Sequence, residues 1–218
     1  MALTQLEQNL RDSLEREVDL LQKLRSEIEA LGSLPRDGTE ITETVLLRMR
    51  SYYLGKNHIK KLLNKALLSA GSDFFVETVV FYLQLYCSFF SNQLAICSEI
   101  PIRRRKNAIR PDISIWKNEE LTAIIECKTQ LGWSRNKWEP HFLERERILK
   151  QDFPSASAYL LVMTKANWPG FREGDQRIGK QLFTLSSIWP GVIEIDKVKE
   201  AVLNPIEALF NEVISHAA

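Results

Sequence analysis

Apolar side chains stand at Leu3, Leu6, Leu10, Leu14, Val18, Leu21, Leu24, Ile28 and Leu31, always three or four residues apart, with charged residues between them. That spacing gathers them on one narrow face of a long helix. A leucine-rich seam of this width serves either as a coiled-coil or dimer contact or as the face by which the helix packs on its own domain. Gly32, Pro35 and Gly38 then break the pattern. Two units are expected, an N-terminal helix over 1–32 and one domain over 33–218.

The next stretch, 40–70, predicts helix with an interruption near Gly55. Gly71 and Ser72 end it, and Ser72 or Asp73 is placed to cap the next helix. Residues 73–91 (DFFVETVVFYLQLYCSFFS) are too long and too continuously apolar for a strand in an α/β domain. Glu77 and Gln84 interrupt them, so the segment predicts a buried helix rather than a membrane span. Strands are predicted over 94–100, 110–116 and 121–129, the last two joined by a turn at 117–120. Residues 138–151 predict a helix, and 158–164 (AYLLVMT) an interior strand. A loop over 165–174, a helix over 175–187, a short strand over 192–195 and a closing amphipathic helix over 197–215 complete the order. Helices, three strands, helix and strand point to an α/β fold with a mixed central sheet flanked by helices, in which an antiparallel meander leads into a parallel crossover.

Composition narrows the class without naming a function. The chain has 218 residues, 44% hydrophobic and 26% charged, which suits a globular domain. The formal net charge is +1, so a nucleic-acid partner can be argued only from local clusters. Cys87, Cys97 and Cys127 form no CxxC pair, against a zinc site or a disulfide framework and in favour of a reducing compartment. The charged N-terminus carries no apolar leader core, and a cytoplasmic location with no membrane partner is expected. No glycine-rich phosphate loop and no GxSxG elbow occurs.

The chemistry concentrates in RPDISIWKNEELTAIIECKTQ, residues 110–130. In a hairpin centred on Glu119, Trp116 faces Thr122, Ser114 faces Ile124 and Asp112 faces Glu126. Opposed residues share a face, and Lys128, two residues beyond Glu126, shares it too. Ile113, Ile115, Ile125 and Cys127 then point into a core. Two adjacent carboxylates repel each other unless a cation lies between them or one takes a proton. A hard divalent ion such as Mg²⁺ suits that pair. It would activate water and stabilise a phosphodiester in transition, with Lys128 serving the water or the developing charge. A solvated hairpin with a weak Glu–Lys pair has the same composition. The apolar density of LTAIIECKT argues instead for a central strand, where unpaired charge is costly.

Pro111-Asp112 followed, after thirteen intervening residues, by Glu126-Cys127-Lys128 resembles the PD-(D/E)XK nuclease superfamily. The resemblance covers roughly 73–165 in element order. It implies a restriction-endonuclease-like αβββαβ core, with Asp112 and Glu126 as ligands of Mg²⁺ (or Mn²⁺) and Lys128 assisting the attacking water. It also implies a homodimer, for which the N-terminal helix offers an element. Many members carry a glutamate on the helix before the sheet, directed at the metal, and Glu77 matches that position; the alternatives for Glu77 are a polar stripe on a helix surface or a partner for an arginine.

Arg103, Arg104, Arg105, Lys106 and Arg110 form a strongly basic cluster just before the motif, suited to a phosphate backbone. Trp133, Arg135, Lys137 and Trp138 after the motif, and Trp168, Phe171 and Arg172 later, interleave aromatic and basic residues in the manner of a nucleic-acid surface, though core packing suits the tryptophans as well. Gln130 shares the face of Glu126 and Lys128 if the strand continues. His58, His141 and His216 show no ligand spacing. The expected function is therefore Mg²⁺-dependent hydrolysis of DNA by an endonuclease of restriction type. The rivals are a non-catalytic or RNA-directed protein of the same fold and an interaction protein organised by the N-terminal helix.

Overall fold

The computed structural model describes residues 3–91, 93–104, 106, 108–131 and 137–217, without the side chains of Leu3 and Leu6. The chain divides into two units, 1–34 and 35–218. The first holds a short helix α1 (Leu3–Leu6) and a long helix α2 (Gln8–Ala30), separated at Glu7 where the seam predicts one continuous helix. None of the residues of α2 is buried, and Leu10, Leu14 and Val18 of the seam are exposed. Exposed pairs one turn apart, Lys23 with Glu27 and Arg25 with Glu29, support the helix by a few tenths of a kcal/mol each, about 0.3.

In the second unit α3 (Glu40–Leu62) and α4 (Ser72–Phe90) precede the sheet. The expected interruption at Gly55 does not occur. The helix runs through it, because a glycine beside open space costs only about 1 kcal/mol against alanine, while Ile41, Val45, Leu46, Met49 and Tyr53 bury the opposite stripe. The cap of α4 is Gly71 rather than Ser72 or Asp73. A Cβ at Gly71 would come within 2.6 Å of the Tyr53 hydroxyl, so close packing against α3 selects glycine here. As expected, α4 is a core helix, with Phe75, Val79, Leu83 and Tyr86 wholly buried. It is also long and apolar enough to cross a membrane by length and composition, and half of it is buried in the protein.

The described residues form one five-stranded sheet in sequence order: β1 (Leu94–Ser98), β2 (Ile113–Lys117), β3 (Glu120–Lys128), β4 (Ser157–Thr164) and β5 (Leu182–Ser186). The first two pairings are antiparallel and the last two parallel, the mixed arrangement read from the sequence. β3 is the middle strand. Helix α5 (Trp138–Asp152) makes the crossover to β4 and covers one face, packing Phe142 and Leu149 against Ile124, Leu160 and Val162. Alternation sends Ile113, Ile115, Ile125 and Cys127 to the other face, where α4 and α6 (Ile206–Ala217) lie against β3.

The C-terminal third departs from expectation. Residues 182–186 are a strand, not part of a helix over 175–187. LFTLS is buried throughout and pairs in parallel with β4, whose backbone would otherwise lie unpaired along that edge. The turn before it is set by Gly174 and Gly179, both at positive φ. The short strand expected over 192–195 is absent. Two 3-10 helices, Pro190–Val192 and Ile195–Ala201, occupy the region, the first beginning on a proline that fixes φ and lacks a donor. The closing helix starts at Ile206 rather than 197, because Pro205 bars helix before it.

Candidate active site

The β2–β3 hairpin builds the site, and its register has two parts. Asn118 and Glu119, both at positive φ, make a two-residue turn that pairs Lys117 with Glu120 and Trp116 with Leu121. A bulge then leaves Thr122 as the extra residue on β3, so that Ile115 pairs with Ala123, Ser114 with Ile124 and Ile113 with Ile125. The expected partnership of Trp116 with Thr122 is therefore replaced, while the pairs next to the site are those predicted. Asp112 lies one residue before β2. Its carbonyl accepts from the Ser98 hydroxyl (2.8 Å) and the Glu99 N–H (3.2 Å), and its Oδ2 accepts from the Cys127 N–H (2.7 Å). The carboxylate is thus pinned across the gap to β3, beside Glu126.

Glu126 sits on the middle strand, 7% exposed, paired with Leu160 of β4. Three oxygens surround the Lys128 ammonium: the Cys127 carbonyl at 3.1 Å, Asp112 Oδ2 at 3.2 Å and Glu126 Oε2 at 3.7 Å. The other oxygen of Glu126, Oε1, accepts from Arg145 Nε at 2.5 Å, and Arg145 Nη2 donates to the Arg110 carbonyl at 3.1 Å. Burial pushes the Glu126 carboxyl above its ordinary value of 4.5; Arg145 and Lys128 pull it down and Asp112 pushes it further up. The Cys127 thiol, on the opposite face, is held well above the usual thiol range by burial first and by Asp112 second, which removes it as a nucleophile.

A cavity of about 590 Å³ opens over these groups, lined by Asp112, Glu126, Lys128 and Gln130 and by Trp138, His141, Phe142 and Arg145 of α5. Its oxygens are hard donors that already converge on one cation, the donor chemistry that Mg²⁺ takes when it keeps waters alongside one or two carboxylates. Among the described residues no three His, Cys, Asp or Glu side chains gather into a metal cluster. Two carboxylates and a carbonyl, all oxygen donors, are the groups here that suit a hard cation.

Not every expected residue arrives. Glu77 is exposed on α4 and does not line the cavity; it lies near Tyr52 of α3, whose phenol is pushed up by burial, then Asp73, then Glu77. Glu77 falls on the exposed side of α4, because its buried side is formed by Phe75, Val76, Val79 and Leu83. Trp168 is buried, its indole N–H donating to the Thr164 carbonyl, and with Phe171 and Trp138 it fixes the 165–172 loop on α5. Arg103 is committed to the end of α5, stacked 4.3 Å over Phe153 and donating to the Asp152 carbonyl. Gln130 lines the cavity and accepts from Asn167. Arg104, Lys106, Arg110 and Lys137 are exposed; Arg105, Trp133 and Arg135 lie outside the described residues. The cluster before the motif is not alone: Lys56, Lys60, Lys61 and Lys65 accompany the exposed Ile59, Leu62, Leu63 and Leu67 at the end of α3.

Arg145 lies outside the motif, yet its position carries a signal in the sequence. Trp138, Phe142, Arg145 and Leu149 are spaced four, three and four residues apart, so a cation interrupts the apolar stripe of α5. His141 reaches the cavity with no comparable signal. No protein-family model matches the chain, and no curated protein or solved structure does so either.

Proposed function

We propose that this protein is a Mg²⁺-dependent deoxyribonuclease with a PD-(D/E)XK core, an endonuclease that acts as a homodimer through α2. The reading rests above all on Glu126, a carboxylate on the middle strand of the sheet that shares the Lys128 ammonium with Asp112. The order α4, β1, β2, β3, α5, β4 supports it, being the αβββαβ order of that superfamily. A bound Mg²⁺ or Mn²⁺ would be held by Asp112, Glu126 and the Cys127 carbonyl, and would supply an acidified water and charge neutralisation at the phosphodiester. The chain's own groups do the rest. The Cys127 N–H keeps Asp112 aimed at β3. The Lys128 side chain is 46% exposed, free to turn its ammonium from the carboxylates to the attacking water or a phosphoryl oxygen. Arg104, Lys106, Arg110 and Lys137 would hold the backbone on either side.

The purified protein is expected to cut plasmid DNA in Mg²⁺ or Mn²⁺, to stop in chelator, and to lose about a thousandfold in rate on Glu126→Gln or Lys128→Ala with the circular dichroism unchanged. Undiminished cutting by both variants overturns the assignment, and preference for RNA in a mixed-substrate assay reassigns the substrate. One observation favours a non-catalytic binder of the same fold: two cations already balance the two carboxylates. DNA binding without cleavage in either metal would establish that alternative.

A further inference from the structure

We propose that Arg145 is a positioning residue of this site, holding one oxygen of Glu126 so that the other faces Asp112 and Lys128, and tying α5 to the segment that carries Asp112. The inference rests on the metal-dependent reading above and adds to it a residue outside the motif.

The placement of Arg145 on an otherwise apolar stripe points to a partner. It stands on the stripe of α5 between Phe142, 5% exposed, and Leu149, wholly buried. Its own side chain is 32% exposed, so it is partly drawn out of water and its hydrogen bonds offset that loss. Two are present. Nε meets Glu126 Oε1 at 2.5 Å, and Nη2 meets the carbonyl of Arg110, two residues before Asp112, at 3.1 Å. The planar fork of a guanidinium spans both acceptors; a lysine ammonium on a flexible stem does not hold two fixed directions at once.

The division of labour within Glu126 decides what Arg145 does. Oε1 is taken by Arg145, while Oε2 lies 3.7 Å from the Lys128 ammonium, on the side where Asp112 Oδ2 also points. A carboxylate held by one oxygen presents the other in a fixed direction. Without Arg145 the Glu126 side chain would lose its shortest bond, and the α5-to-Arg110 tie would be lost with it. Arg145 thus acts on the ligand's aim, as an outer partner of a metal-binding side chain does. Were it only a counter-ion occupying the place of the metal, its removal would instead free the carboxylate and tighten the metal.

These two roles predict opposite signs, so direct Mn²⁺ binding separates them. The full chain, without DNA, is titrated with Mn²⁺ and the free ion followed by electron paramagnetic resonance, for the wild type, Arg145→Met, Arg145→Lys and Glu126→Gln. Arg145→Met is expected to weaken Mn²⁺ about tenfold. Arg145→Lys, which keeps the charge and loses the fork, is expected to recover only part of that. In cleavage assays kcat should fall while KM for DNA stays. Equal or tighter Mn²⁺ in Arg145→Met overturns the proposal. If that variant does not fold, wild-type affinity in Arg145→Lys overturns it equally. A wild type with no Mn²⁺ site sensitive to Glu126→Gln rejects the metal-dependent reading itself, a result distinct from a loss of positioning alone.

Discussion

Glu207 and Glu126 are both taken out of water, at 1% and 7% exposure, and their surroundings differ in kind. Glu207 reaches from α6 to the first turn of α3. There it accepts from the Ile41 N–H (2.6 Å), the Thr42 N–H (3.3 Å) and the Thr42 hydroxyl (2.5 Å). The Thr42 hydroxyl accepts in turn from the Ile206 N–H at 2.7 Å, so two helix starts satisfy each other. Neutral donors and the positive end of a helix suffice for this carboxylate. Glu126 is met instead by two side-chain cations and lies beside a second acid. Backbone donors cannot leave; the Lys128 ammonium can. The first environment fixes a fold, and the second can exchange partners with an incoming ion or phosphate.

The contrast can be tested by breaking each side in turn. The largest expected effect is the thousandfold loss of cutting in Glu126→Gln, accompanied by little change in melting temperature. Glu207→Ala should do the reverse. It leaves three donors without their acceptor, and urea unfolding should report a loss of about 3 kcal/mol, while the folded fraction keeps its rate per molecule. A Glu207→Ala protein with native stability would remove the distinction.

The smallest effect is in pH. The folded carboxyl of Glu126 is raised above its unfolded value, so its contribution favours folding fully below the ordinary 4.5 and is lost as pH rises through the higher folded value. In metal-free protein the stability gap between wild type and Glu126→Gln should therefore narrow on acidification from neutral pH. A gap independent of pH would mean that Glu126 titrates normally.

Where the sequence was informative, the pattern was local. The alternation of Ile113, Ile115 and Ile125 is enough to put Asp112 and Glu126 on one face, while the bulge at Thr122 that sets their register carries no local signal. The continuous apolar run over 73–91 marks α4, and AYLLVMT marks β4. The misses have physical reasons. LFTLS is too short for periodicity to separate strand from helix. The apolar neighbours of Glu77 in sequence lie on the far side of the same helix. Arg145 and Glu207 meet partners 19 and up to 166 residues away, and no local spacing encodes such pairs.

The bulge in the β2–β3 hairpin works as a parity bit. Without Thr122 as an extra residue, the two-residue turn would set Asp112 against Ile125, on the wrong side of the sheet from Glu126. The same slip would also turn Ile113 and Ile115 out of register with Ile125 and Ala123. An odd insertion or deletion in this hairpin is thus detected twice, once by the chemistry and once by the core, whereas an even one passes both checks. The apolar face proofreads the polar one.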